Sequence, residues 1–247
     1  MFKKAFSLLE LTIALTLIAL LTVIVTAGRN ITNNANLAAI ISEASRIEGA
    51  INGFYSEFRQ LPGDFNNANT LWNGTNGDGD GILEWNSNEQ NYFSDLAKAN
   101  YLNIYNPAYT SLSSTYRTMD IFDKSNNVFY MVAGDNNAGN LTSPTLPTNS
   151  SPTRADNYIF YAKIYLNSTN YENFGASLTA KHAYQIDLKY DDGNPIAGEI
   201  ISQNGYNASQ NTTNYTSSVT CHNSTNYNLT IAYEACRVAF KLNSGSY

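Results

Sequence analysis

Two stretches of this chain combine residue type and spacing in a way that could do chemistry, and both are acidic. Glu10 stands alone among the uncharged residues of FSLLELTIALTLIALLTVIVTA, positions 6–27. A carboxylate inside a greasy helix is expensive: insertion scales put a central Asp at about 2.5–3.5 kcal/mol, so Glu10 needs something to satisfy it. The second stretch is Asn76, Asp78, Asp80 and Gly81, which matches the opening of an EF-hand loop, where alternating oxygen ligands wrap a hard cation. The closing Glu of such a loop would fall at Ser87, and Glu84 and Glu89 miss that register. The expectation is therefore a looser loop, with Asp78, Asp80 and Glu84 as calcium ligands, set against a plain solvated turn.

Other catalytic constellations are missing. His182 and His222 have no metal-spaced partner; His182 is expected at an exposed strand start beside Lys181, and His222 is given no role. No nucleophile elbow, zinc-protease, P-loop or dinucleotide-binding signature is present, so an enzyme is not expected. Trp72 and Trp85 bracket the Gly/Asp loop as a sugar platform or as packing for it, and packing is the expectation. The net charge of −6 argues against nucleic acid as a primary ligand, because phosphate binding needs Lys and Arg. Only 14% of residues are charged, and Asn, Ser, Thr and Tyr carry the polar load, which suits an exported surface.

The elements that position these residues follow from hydrophobic period. Leu37, Ile40, Ile41, Ala44, Ile47, Ile51, Phe54 and Phe58 recur at steps of three and four, with Glu43, Arg46, Glu48, Asn52, Glu57 and Arg59 opposite. Proline first appears at Pro62, so one helix from Phe6 to about Phe58 is expected, on the order of 80 Å long. Its softest part is Gly28–Asn36, where Gly and four Asn are poor helix formers. Leu61-Pro62-Gly63-Asp64 ends it, with Asp64 free to cap the next element. The loop 73–81 is too rich in Gly and Asn for regular structure. Beyond it the pattern predicts a short helix in 92–102, strands at 127–133 and 158–166, and a long loop at 138–155. A hairpin of 184–190 and 196–202 around Asp191-Asp192-Gly193-Asn194-Pro195, a loop at 204–218 and a last strand at 235–242 complete it. The fold class is α+β: a long N-terminal helix packed on an antiparallel β-sheet head.

The N-terminal run Lys3-Lys4-Ala5-Phe6-Ser7-Leu8-Leu9-Glu10-Leu11 resembles the class III signal of type IV prepilins and type II secretion pseudopilins. The resemblance implies cleavage by a prepilin peptidase between Ala5 and Phe6, N-methylation of Phe6, and filament assembly in which Glu10 compensates the amine of a neighbouring subunit. The family usually has Gly where this chain has Ala5. Two other readings compete: a secretory signal cut after Val25-Thr26-Ala27, releasing a soluble exported enzyme or carbohydrate-binding protein, and an uncleaved anchor. In all three, Lys3 and Lys4 stay cytoplasmic.

Further along, LPGD, the Gly/Asp loop, the run Ile186–Gly198 and a C-terminal Cys pair are similar to prepilin-type bacterial proteins with enlarged heads. That resemblance implies a leader at 1–5, a membrane and filament-core helix at 6–27, an amphipathic half at 28–60 and a head at 61–247. It also implies calcium near Asp191 and Asp192, although turn chemistry already explains those residues. Cys221 and Cys236 lack zinc spacing; outside the cytoplasm such a pair is normally oxidised, and relatives often fasten the head this way, with two free thiols as the alternative. The implied partners are the peptidase, other pilin or pseudopilin subunits and an inner-membrane assembly platform. The implied location is the bacterial cytoplasmic membrane, with the head outside.

Overall fold

The computed structural model describes residues 8–81, 83, 92–102, 122–123, 128–134, 157–165, 173–204, 221–223 and 225–242. Ala5, Phe6, Glu84 and Trp85 lie outside them, as do the expected 138–155 loop and nearly all of the 204–218 loop. A long helix, α1 (Leu8–Phe58), precedes a separate antiparallel sheet, so the layout is α+β. The chain divides into two compact units, Met1–Ser42 and Glu43–Tyr247.

In the first unit, residues 8–36 of α1 are exposed and burial begins at Leu37. The hydroxyls of Thr12, Thr16, Thr22, Thr26 and Thr32 turn back onto carbonyls three or four residues earlier, at 2.8–3.0 Å. These hydroxyls are therefore satisfied inside the helix, which an apolar surrounding requires. By length and composition, this helix can cross a membrane. The segment Gly28–Asn36 is helical here in spite of its composition.

In the second unit the amphipathic stripe is buried as its period requires: Ala44, Ile47, Ala50, Ile51 and Phe54, with Phe58 half-buried. Gly53 is on this helix because the Tyr101 ring lies 2.6 Å from where a Cβ would be. The Tyr101 hydroxyl donates to Glu57 Oε2 at 2.5 Å. The helix stops at Arg59, whose N–H still reaches Tyr55 O at 2.8 Å while its own backbone turns left-handed at φ 58°. Arg59 is exposed, so its side chain offers little against a conformation that costs an L-residue about 1–2 kcal/mol. Arg59→Gly is expected to raise the unfolding free energy by about 1 kcal/mol, read from urea midpoints; an unchanged midpoint would refute it.

Two short helices follow, α2 (Ala68–Trp72) and α3 (Tyr92–Lys98). The strands are β1 (Phe122–Asp123), β2 (Val128–Gly134), β3 (Asn157–Tyr165), β4 (Asn173–Gly175), β5 (Leu178–Thr179), β6 (Ile200–Asn204) and β7 (Glu234–Lys241). Among the described residues every pairing is antiparallel: β1 with β2, β2 with β3, β3 with β4 and β7, and β7 also with β5 and β6. β7 is the hub. It holds β3 through Phe160↔Ala239 and β6 through Ile201↔Ala239, and its Ala235–Phe240 are all buried.

The expected hairpin at 184–202 is not formed. Residues 184–190 belong to a helix, α4 (Ala180–Tyr190), and β6 pairs with β7 instead. Both periods are written in YQIDLKY, and the residues before it decide. Thr179 caps the helix by accepting the His182 N–H at 3.2 Å, and Ala180, Ala183, Ile186 and Asp187 form the buried face. The alternating Leu188 and Tyr190, which suggested a strand, are exposed. His182 accordingly sits in the first turn of a helix, not at a strand start.

Candidate functional site

Two acidic clusters stand out among the described residues, each with three carboxylates whose nearest oxygens lie within 4.8 Å of one another. The first joins Asp78 and Asp80 to Asp64. Asp64 is buried in the turn after α1 and caps no helix: the residue before α2 is Asn67, whose side chain makes no capping bond. Instead its Oδ1 accepts the Gly79 N–H at 2.6 Å and its Oδ2 the Gly81 N–H at 2.8 Å. The loop thus winds around one buried carboxylate. Asn157 of β3 secures the far end, accepting from Leu83 N at 2.9 Å and donating to Gly81 O at 3.1 Å.

The second cluster joins Asp191 and Asp192 to Asp187. Asp187 comes from the buried face of α4; its Oδ1 accepts the Gly193 N–H at 3.0 Å and its Oδ2 the Tyr227 hydroxyl at 2.6 Å. Asp191 Oδ2 accepts the Ile200 N–H at 2.7 Å. Gly198 faces it at φ 87°, and Asp191 Oδ2 fills the place a Cβ would take, so only glycine fits. In each cluster the three carboxylates could hold a metal ion; calcium takes six to eight oxygens, so water or carbonyls would have to supply the rest. The less buried members, Asp78, Asp80, Asp191 and Asp192, were named from the sequence and the buried ones were missed, because Asp64 read as a cap and Asp187 as a strand residue.

A third buried carboxylate stands outside both clusters. Asp95 of α3 accepts the Gly63 N–H at 2.9 Å and the Trp72 Nε1–H at 3.2 Å, tying α3 to the turn after α1 and to α2. Trp72 also packs at 5.4 Å from Phe65 and 5.6 Å from Phe58, half-buried against the aromatic side chains around Phe54.

Burial pushes Asp64, Asp95 and Asp187 up from 3.8 to about 6 each. Hydrogen bonds hold all three back, and neighbouring aspartates add to the rise for Asp64 and Asp187. Because the folded values exceed the unfolded ones, these groups favour the fold below pH 3.8 and that contribution is lost as pH rises through about 6. The metal-free chain is therefore expected to melt at a higher temperature at pH 5 than at pH 7.5, and Asp95→Asn to flatten part of that slope. Millimolar calcium, which needs ionised carboxylates, should raise the pH 7.5 melting temperature more than the pH 5 one. A calcium-free profile that rises with pH instead would contradict the assignment.

Glu10 lies on the exposed apolar part of α1, and Cys221 and Cys236 form a buried disulfide, as expected outside a reducing compartment. His222 is hydrogen-bonded to the backbone of Ser202, a structural role no sequence signal announced. Neither a family model, nor a curated protein, nor a solved structure matches this chain.

Proposed function

We propose that this protein is a structural subunit of a bacterial type IV pilus or type II secretion system, a pilin or pseudopilin and not an enzyme, assembling through its N-terminal helix. The observation that carries the reading is the run of exposed apolar helix from Leu8 to Ala27, interrupted by the single acid Glu10 and continuous in α1 with a buried amphipathic stripe. Apolar surface of this extent has to be covered, and a bilayer followed by a bundle of like helices covers it in turn. The signal around Ala5 and Phe6 supplies the route: insertion with Lys3 and Lys4 inside, cleavage by a prepilin peptidase, methylation of Phe6, then polymerisation from the inner membrane with the head outside. Partners are other pilin-class subunits and an assembly platform. Calcium, where bound, cements the turns at Asp64, Asp78 and Asp80 and at Asp187, Asp191 and Asp192, and does no chemistry.

Mass spectrometry of the mature N-terminus from native membranes tests this. A start at Phe6 with one added methyl is expected. A start at Gly28 would discard the apolar helix and leave an exported soluble domain in its place.

A further inference from the structure

The short loop that begins at Cys221 reaches over α4 and β6 at several points. Cys221 N–H donates to Asn204 Oδ1 at 2.6 Å, and His222 bonds the backbone of Ser202. The Tyr227 hydroxyl meets Asp187 Oδ2 at 2.6 Å and Ser202 Oγ at 2.9 Å, and both partners are buried.

The loop closes back on the backbone of the residue at its start. Asn228 N–H donates to Cys221 O at 2.8 Å, and His222 and Tyr227 face each other as an antiparallel bridge. Asn223 Oδ1 accepts from Thr225 N at 3.1 Å and from Asn226 N at 2.8 Å, folding the turn between them. Tyr227 is thus held next to the residue that bonds Cys221, and the disulfide fastens Cys221 to the hub strand β7. From Tyr227 the chain of contacts continues outward. Asp187 holds Gly193, Asp191 holds Ile200, and these two bonds span the connection from α4 to β6.

We infer that the Cys221–Cys236 disulfide, the Tyr227 loop and the 191–199 turn form one redox-sensitive latch, in which oxidation of the cysteines seats the turn against α4 and β6. Reduction by a dithiol passes two electrons and two protons to the cysteine sulfurs, breaks the S–S bond and closes the dithiol to its own disulfide. The loop then regains the freedom the cross-link removed, and the Tyr227 hydroxyl must find its acceptor Asp187 and its donor Ser202 without its tether. While its thiols are reduced the chain carries this turn unlatched; arrival in an oxidising compartment completes it. The inference rests on the second unit alone and holds whether or not the chain enters a filament.

Hydrogen exchange read by mass spectrometry tests it, on the full chain in detergent: oxidised, reduced with dithiothreitol, and oxidised with Tyr227→Phe. Amides in 188–200 are expected to exchange about tenfold faster or more in the last two states, while those of β3 stay protected. Unchanged protection of 188–200 in the oxidised Tyr227→Phe chain would overturn the latch, as would unchanged protection after reduction. Should reduction also open β3, the oxidised Tyr227→Phe chain decides alone, because its disulfide and its ring are both intact.

Discussion

A chain carrying Glu10→Ala is expected to insert and to be trimmed as the wild type is, yet to be nearly absent from sheared filaments. The change leaves the apolar run of α1 intact and adds one more uncharged residue to it, so membrane entry becomes easier. What it removes is the one charge along residues 8–28 of that helix. In a bundle of such helices Glu10 is desolvated, and the proposed partner is the free amine at Phe6 of an adjoining subunit. Deleting one member of a buried ion pair costs about 3–5 kcal/mol, since the remaining charge is left uncompensated. That is on the order of a hundredfold or more in an association equilibrium. The measurement is the ratio of filament to membrane-bound subunit, for mutant and wild type expressed side by side. Equal ratios would defeat the role given to Glu10, whereas a wild type that enters no filament would defeat the proposed function itself.

Phe54→Ala is expected to produce the largest loss of stability in the second unit. Phe54 is fully buried and meets Phe58, Phe65, Trp72 and Tyr101 at centroid distances of 4.5, 5.7, 6.2 and 6.2 Å. It therefore joins α1 to the turn after it, to α2 and to the residues after α3. Truncating a buried Phe typically costs about 3–5 kcal/mol, a large part of the 5–15 kcal/mol that holds an ordinary domain together. For a unit of this size the melting temperature should fall by roughly 10 °C. Leu15→Ala is the control, because Leu15 is 58% exposed and lies in the other unit. It should leave the transition where it was. A Phe54→Ala midpoint within about 2 °C of wild type would mean that the aromatic cluster relaxes around the cavity, against the usual behaviour of cores.

The parts of this protein that were legible in the sequence are those ruled by local period and local chemistry. The buried stripe from Leu37 to Phe58 repeats at helical steps, so the side chains that must leave water could be named in advance. The break at Pro62 and the strands that became β2, β3 and β7 follow from similarly short-range facts, and the disulfide of Cys221 with Cys236 agrees with what an exported chain was expected to form. The acidic loop residues Asp78, Asp80, Asp191 and Asp192 were visible because turns advertise themselves in composition.

Tertiary structure alone decided the rest. Residues 184–190 carry both a two-residue and a 3.6-residue pattern; a local cap at Thr179 starts the helix, and the burial of Ala183, Ile186 and Asp187 on one face is what the tertiary structure adds. Asp64 joins Asp78 from fourteen positions away, and Tyr227 meets Asp187 across forty, separations that no local pattern encodes. Hence the two acidic clusters, each completed by one buried carboxylate, exist only in the folded chain. Burial raises those carboxylates toward pH 6, and burial is a property of the fold, not of any single residue type.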